Sequence, residues 1–225
     1  FTSVKREIVD ILYSNVRHAV YQPCENSLYV IIHFVLRNGI MIGKKKHVNI
    51  QFFTEVVESS QALDDRKRSS YDPDELDEEQ RERQLKKKLN SVFKVFAKDV
   101  EKTAEKNSST HTVEFDMPYR DLGFHGTPNK EMVLIMPSVN CILSLDTTPV
   151  FCEAIKDIEH VHFERTNFGA NYFDMVLIFK EQTKPSTGER FRKEVQRISS
   201  IEMKSLNHIQ AVSYTHLTLP TSPHV

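Results

Sequence analysis

The chain has 225 residues, 30 Lys and Arg against 31 Asp and Glu, a formal net charge of -1 at pH 7 and 39% hydrophobic residues. That length suits one domain or two of about 100 residues each, and the balanced charge excludes the overall basic excess that would by itself argue for nucleic acid or an anionic membrane. Cys24, Cys141 and Cys152 show no CxxC spacing, so they suggest neither a disulfide framework nor a zinc site and point to a reducing compartment.

Residues 1–57 alternate short extended runs with turn residues: IVDILYSNV, HAVYQP, SLYVIIHFVL, IMIG and VNIQFFTEV. Each is strand-sized and rich in Val, Ile, Tyr and Phe, which predicts an antiparallel meander. QPCENS and RNG supply the hairpin turns, and Asn38-Gly39 suits the positive φ of a two-residue hairpin. The longest apolar run, Leu28 to Leu36, is too short to cross a bilayer and is interrupted by His33, so the chain reads as soluble and intracellular.

Ser59 to Asp77 is polar, carries Ser69, Ser70 and Pro73, and is predicted to be a mobile loop. Asp74, Glu75, Asp77, Glu78 and Glu79 favour the positive end of a helix dipole. Leu85, Leu89, Val92, Phe93, Phe96 and Val100 then recur at spacings of three and four. The spacing predicts one amphipathic helix over about 74–106. Residues 107–112 form a linker, and a second module is predicted over 113–211. Its strands are VEFDM, MVLIM, CILSL, FCEAIKDIEHVHFER, YFDMVLIFK and EVQRISSIEM, with a helix opening at Ser205.

EQTKPSTGERFRK reads as a long polar hairpin loop. Residues 212–225, VSYTHLTLPTSPHV, carry no charged residue, no helical period and two prolines. They are expected not to complete the final helix and to be a foreign tail, either a translated cloning adaptor or a read-through.

Lys44, Lys45, Lys46 and His47 form the densest basic cluster on the strand-forming part of the chain. At a strand end such a cluster meets DNA phosphates or an acidic surface, or else is a solvated hairpin tip. In DLGFHG, Leu122 and Phe124 are expected to anchor a structural turn, with Gly123 and Gly126 giving the backbone conformations that a larger residue resists. His160, His162 and Glu164 share a strand face, but no further ligand accompanies them and they predict a polar surface rather than a metal site. Asp121, Asp174 and Glu164 have no nucleophile motif, phosphate loop or convergent His beside them, so no catalytic residue is assigned. The charged helix face, including RERQLKKK, reads as solvated.

MPYRDLGFHGTP and IEHVHFERTNFGANYFDMVLIFK, with the upstream DILYSNVRHAVYQPCENSLYVIIHFVLRNGIMIGKKKHVNIQFFTEV, closely resemble the middle domain of the large subunit of FACT, a histone chaperone complex, over residues 1–210. The resemblance implies a mainly β, α+β architecture of two tandem pleckstrin-homology-like barrels, each closed by a C-terminal helix. It implies that the first barrel is truncated at its N-terminus and the second at its C-terminus. It further implies a nuclear, chromosome-bound histone chaperone that is not an enzyme, uses no cofactor or metal, and reorganises nucleosomes without ATP in transcription, replication and repair.

Expected partners are core histones as tetramers or dimers, DNA, and the small HMG-box subunit of FACT through a part of the longer protein outside this sequence; no membrane is expected. With the resemblance, Lys44, Lys45, Lys46 and His47 become the expected histone or DNA contact. The competing reading is a phosphoinositide-binding pleckstrin-homology module. Against it, the second module offers only Lys130 before EMVLIMPSVNCILSLD, where a headgroup pocket needs several converging cations.

Overall fold

Alternating apolar residues in the first half of the chain build one sheet, and a long helix covers it. The computed structural model describes residues 9–25, 27–56, 75–107, 112–146, 148–167, 169–183, 190–193 and 195–217. The chain divides into two compact units, Phe1–Met117 and Pro118–Val225. The expected loop before the helix lies mostly outside the described residues, as do most of the linker, the centre of the EQTKPSTGERFRK loop and residues 218–225.

In unit 1, strands β1 (Val16–Gln22), β2 (Tyr29–Ile42) and β3 (Lys45–Glu55) form an antiparallel meander. Helix α1 (Glu75–Asn107) follows, and β4 (Phe115–Asp116) returns to pair parallel with β1, giving the order β3-β2-β1-β4. Strand alternation puts Val30, Ile32, Phe34 and Leu36 on one face with Ala19, Tyr21 and Ile50. Leu85, Leu89, Phe93, Val100 and the buried Ala104 of α1 lie against that face. This is most of the stripe that the spacing of three and four predicts, but Val92 and Phe96, expected within it, are exposed at 57% and 37%.

Polar groups fasten the helix to the sheet. The Cys24 N–H donates to Asn90 Oδ1 at 3.0 Å, and the Tyr21 hydroxyl donates to the Asn90 carbonyl oxygen at 3.0 Å. Burial pushes the Tyr21 hydroxyl up to about 12, so it stays a donor.

Three expectations for this unit need correction. Asn38-Gly39 is not the hairpin turn: β2 runs through it, with a register irregularity between Val35 and Ile40. The turn falls at Gly43-Lys44, where Gly43 takes φ +60°. Asn38 is held in the irregularity because Asn15 brackets it, the Asn15 Nδ2 donating to the Asn38 carbonyl and the Asn38 N–H to Asn15 Oδ1, both at 2.8 Å.

The stretch starting at Val113 does not open the second unit. Val113 is buried in the unit 1 core, Phe115 meets Phe34 edge-on at 5.6 Å, and the Phe115 N–H donates to Glu101 of α1 at 2.8 Å. IVDILYSNV is not one strand either, since a 3-10 turn (Tyr13–Asn15) precedes β1.

Unit 2 has a sheet of β5 (Phe124–Gly126), β6 (Val133–Pro137), β7 (Cys141–Ser144) and β8 (Phe151–Ala154) in sequential order. A 3-10 turn over Ile155–Asp157 splits the long expected strand and leads to β9 (Ile158–Glu164). With β10 (Tyr172–Phe179) and β13 (Gln196–Glu202), β9 makes a second sheet of order β13-β10-β9. The short pair β11 (Glu181–Thr183) and β12 (Arg190–Arg192) flanks the polar loop. Phe124, Ile135, Phe173, Met175, Leu177, Phe179, Ile198 and Ile201 fill the core between the sheets.

Ile209 of the closing helix α2 (Leu206–Leu217) joins that core. The expectation that the chain from Val212 does not complete this helix is therefore corrected. Val, Ser, Tyr and Thr cost a helix only tenths of a kcal/mol each, and both prolines come after Leu217.

Candidate functional site

The β2–β3 hairpin carries the basic cluster, and its register sorts the cluster by face. Ile42 pairs with Lys45, Met41 with Lys46 and Ile40 with His47. Ile40 and Ile42 pack on the unit 1 core, so Lys45 and His47 belong to the inner face of the hairpin. Lys46 belongs to the outer face with Met41, which is 64% exposed. Lys44 sits in the turn. The three lysines are exposed and His47 is half-buried.

The stem of Lys46 lies over Gly39. A Cβ at Gly39 would come within 2.9 Å of Lys46 Cγ and Cε. The structure thus spreads the cluster around a narrow tip instead of gathering it on one surface.

The DLGFHG residues serve packing, by a different physics from the one expected. Gly123 has an ordinary φ of -72°, and positive φ among the described glycines belongs to Gly43 and Gly169. Phe124 and Gly126 lie on β5, not in a turn, with Phe124 in the core. Gly126 is required by closeness: a Cβ there would stand 2.7 Å from Ile198 Cγ2 and 3.2 Å from Ile201 Cγ1 on β13. Next to it, Thr127 and Ser199 exchange backbone hydrogen bonds of 2.8 and 3.0 Å, which join the two sheets of unit 2.

The same crossing explains the carboxylates. Ser199 and Ser200 form a bulge opposite Asp174, because Phe173 pairs with Ile201 but Met175 with Ile198. Ser200 takes φ 59° and Arg165 φ 61°, a conformation uncommon for residues with a Cβ. The buried Asp174 carboxylate holds both: Oδ1 accepts the Ser200 N–H at 3.1 Å and pairs with Arg165, while Oδ2 lies 3.4 Å from Arg197. Arg197 also pairs with Glu164 at 2.8 Å. Asp174 and Glu164 are thus spent on structure, and Asp121 sits exposed in a 3-10 turn. His160 and His162 are exposed on β9, opposite Val161 and Phe163, which pack on the core. Among the described residues no group of three or more His, Cys, Asp and Glu is placed to hold a metal ion.

A cavity of about 580 Å³ lies beside Lys130, lined by Pro128, Asn129, Glu131, Val133, Thr148 and Pro149. One lysine beside one glutamate gives no net cation for a polyanionic headgroup. Among the described residues no helix is long and apolar enough to cross a membrane.

Sequence reasoning missed two features. The Asp174 crossing left no motif, since a buried carboxylate within YFDMVLIF looks like the polar position of any strand. His33 is fully buried on β2 and donates from Nδ1 to Gln51 Oε1 at 3.2 Å, while its Nε2 has no hydrogen-bond partner among the described residues. Burial drives its pKa down to about 4, against smaller opposing effects of Gln51 and Asn49. The lone His in the apolar run Leu28 to Leu36 was its only signal.

Two α+β units, each with a helix packed into its core, have the mainly β architecture of pleckstrin-homology-like modules. Residues 1–100 match the family described as FACT complex subunit SPT16 PH-like domain, and residues 125–215 match the histone chaperone Rttp106-like middle domain.

The FACT complex subunit SPT16 of Arabidopsis thaliana is 41% identical over 205 residues, 91% of this chain and 18% of that protein. That of Dictyostelium discoideum is 44% identical over 185 residues, 82% of this chain and 17% of that protein. The spt-16 subunit of Caenorhabditis elegans is 33% identical over 215 residues, 96% of this chain and 19% of that protein. The chain belongs to the family of FACT large-subunit middle domains, and it spans less than a fifth of the length of these relatives.

Proposed function

We propose that this chain is a non-catalytic histone-binding module of a FACT-type complex, acting on chromosomes in the nucleus. The observation that supports it most is the order of the two family matches along the chain. A FACT PH-like match covers most of unit 1, and a histone-chaperone middle-domain match covers most of unit 2. In this reading each unit is a pleckstrin-homology-like barrel plugged by its helix, α1 in unit 1 and α2 in unit 2. The stacking of α1 on its sheet supports this, as does the Gly126 and Thr127–Ser199 contact between the two sheets of unit 2.

The module works by mass action. It binds histone that has left DNA, and so shifts the balance among histone, DNA and nucleosome without a chemical energy source. The tip at Lys44, Lys45, Lys46 and His47 is a contact for histone or for DNA. The test is a pull-down of separated histone dimers and tetramers by this chain across a salt series. Retention of at least one histone complex at physiological salt is expected. Loss of both at salt as low as about 50 mM would end the reading.

A further inference from the structure

The hairpin that carries the basic cluster is more than a tip, because β2 and β3 run past the end of β1. The pairing of β1 with β2 stops at Val16 and Leu36. Beyond it, from the Ile40–His47 pair to the Ile42–Lys45 pair, β2 and β3 have only each other among the described residues. The geometry points to this two-stranded ribbon, residues 37–48, as an element that enters a groove of double-stranded nucleic acid and neutralises phosphates on both walls. The inference rests on the reading of the tip as a contact, and it deepens that reading by committing the tip to duplex DNA.

Charge is the first support. Arg37, Lys44, Lys45 and Lys46 are exposed, and no acidic residue occurs between Glu25 and Glu55. None of the four is held in an ion pair among the described residues. The ribbon is therefore a local cation of about four charges on a chain whose net charge is -1.

The second support is the distribution of those charges. A flat acidic protein surface meets one face of a ribbon. Here the faces are divided: Lys46 lies on the outer face with Met41, Lys45 on the inner face with Ile42, and Lys44 at the turn between them. A groove flanks an inserted element on two sides. The major groove of B-form DNA is about 12 Å wide and admits a two-stranded ribbon, whose strands lie about 4.8 Å apart. The exposed apolar groups Met41 and Val48 face sugar and base edges in that arrangement.

The third support is order. The Asn15 bracket on Asn38, the contact of Ile40 and Ile42 with the core, and Gly43 in its positive-φ turn fix the ribbon before any partner arrives. Less ordering entropy is then lost on binding.

The experiment measures the affinity of this chain for a labelled random-sequence duplex from about 50 to 200 mM salt, and for histone dimers and tetramers in parallel. Four phosphate contacts predict a slope of log K against log salt of about -3.6, close to a 150-fold loss over that range. Lys44→Ala, Lys45→Ala and Lys46→Ala combined should make the slope shallower by about 2.7, and the triple Lys→Arg variant should restore it. Lys45→Ala and Lys46→Ala alone should each remove about 0.9, because they stand on opposite walls.

Circular dichroism and Tm should be unchanged, since all three side chains are exposed. An unchanged duplex slope in the folded triple variant overturns the inference. So does an effect of only one of Lys45 and Lys46, which means docking by one face. A loss of histone binding without any change for the duplex overturns it and leaves the histone-binding function standing. Duplex binding that depends on the ribbon while no histone complex is retained supports the inference and removes that function instead.

Discussion

In unit 1 polar contacts hold a helix to one sheet, whereas in unit 2 they hold one sheet to another. Asn90 reaches from α1 to Cys24 and Tyr21, and Glu101 reaches from the same helix to the Phe115 N–H. In unit 2 the Asp174 carboxylate fixes a bulge, and the bulge delivers Ser199 to Thr127 on the opposite sheet. The consequence concerns where freedom is left. Unit 2 ties its strands across the core, while among the described residues of unit 1 the far end of β2 and β3 has no third strand, and that end carries the cations.

Removing Asp174 should break this contrast most severely. Asp174→Ala withdraws the acceptor of the Ser200 N–H and the counter-charge of Arg165 and Arg197, while Ser200 and Arg165 keep their left-handed backbone. A loss of about 3 kcal/mol is expected, near the top of the range for leaving a buried donor without its acceptor, since both arginines are more than half exposed and stay solvated. Hydrogen exchange should speed up first in β9, β10 and β13. Equal loss of protection in β1 and β2 would show that the crossing is not local to unit 2.

Unit 1 has its own buried polar group, and pH exposes it. The folded pKa of His33, about 4, lies below its unfolded value of 6.5. Between those values the unfolded chain binds more protons, so stability rises with pH. The contribution is whole above about pH 6.5 and is lost as pH falls towards 4, by up to about 3 kcal/mol. Chemical denaturation from pH 7 to 4, with His33→Leu as reference, reads it. A variant as acid-sensitive as the parent would remove His33 from the account.

Gly126→Ala tests how closely the sheets of unit 2 approach. The new Cβ meets Ile198 Cγ2 at 2.7 Å, and Ile198 is fully buried, so it cannot swing away. About 2 kcal/mol of destabilisation is expected from overpacking. A Tm equal to that of the parent would mean that β5 stands further from β13 than the contact implies.

The alternation of VEFDM and most of the stripe from Leu85 to Val100 were legible because period largely decides which side of an element is buried, although Val92 and Phe96 share that period and are exposed. What period does not carry is the partner. Val113 and Phe115 alternate as any edge strand does, and nothing local says that they return to β1 instead of opening a new sheet. Asn38-Gly39 has the composition of a turn, but the Asn15 bracket 23 residues away holds it within a strand. Gly126 looked like a turn glycine because closeness to Ile198 is a long-range fact. The basic cluster was visible as composition, whereas its division between two faces depends on the register of β3 against β2.

The smallest effect expected on stability is the most telling for the ribbon. Asn15→Ala deletes both hydrogen bonds that bracket Asn38, one to its carbonyl and one from its N–H. Both are exposed, so water replaces them and the net loss should be about 1 kcal/mol. The bulge will then no longer be fixed from outside the hairpin, and exchange of the Asn38 amide should quicken while β1 and the upper part of β2 stay protected. A loosened ribbon keeps all its charges. The salt slope for duplex binding should therefore stay as steep as in the parent, while affinity falls several-fold because the ribbon must be ordered on binding. Weakened affinity with an unchanged slope separates positioning from charge. A fall in the slope itself would mean that Asn15 orients the lysines individually, and unchanged affinity would show that the tip binds without needing its shape.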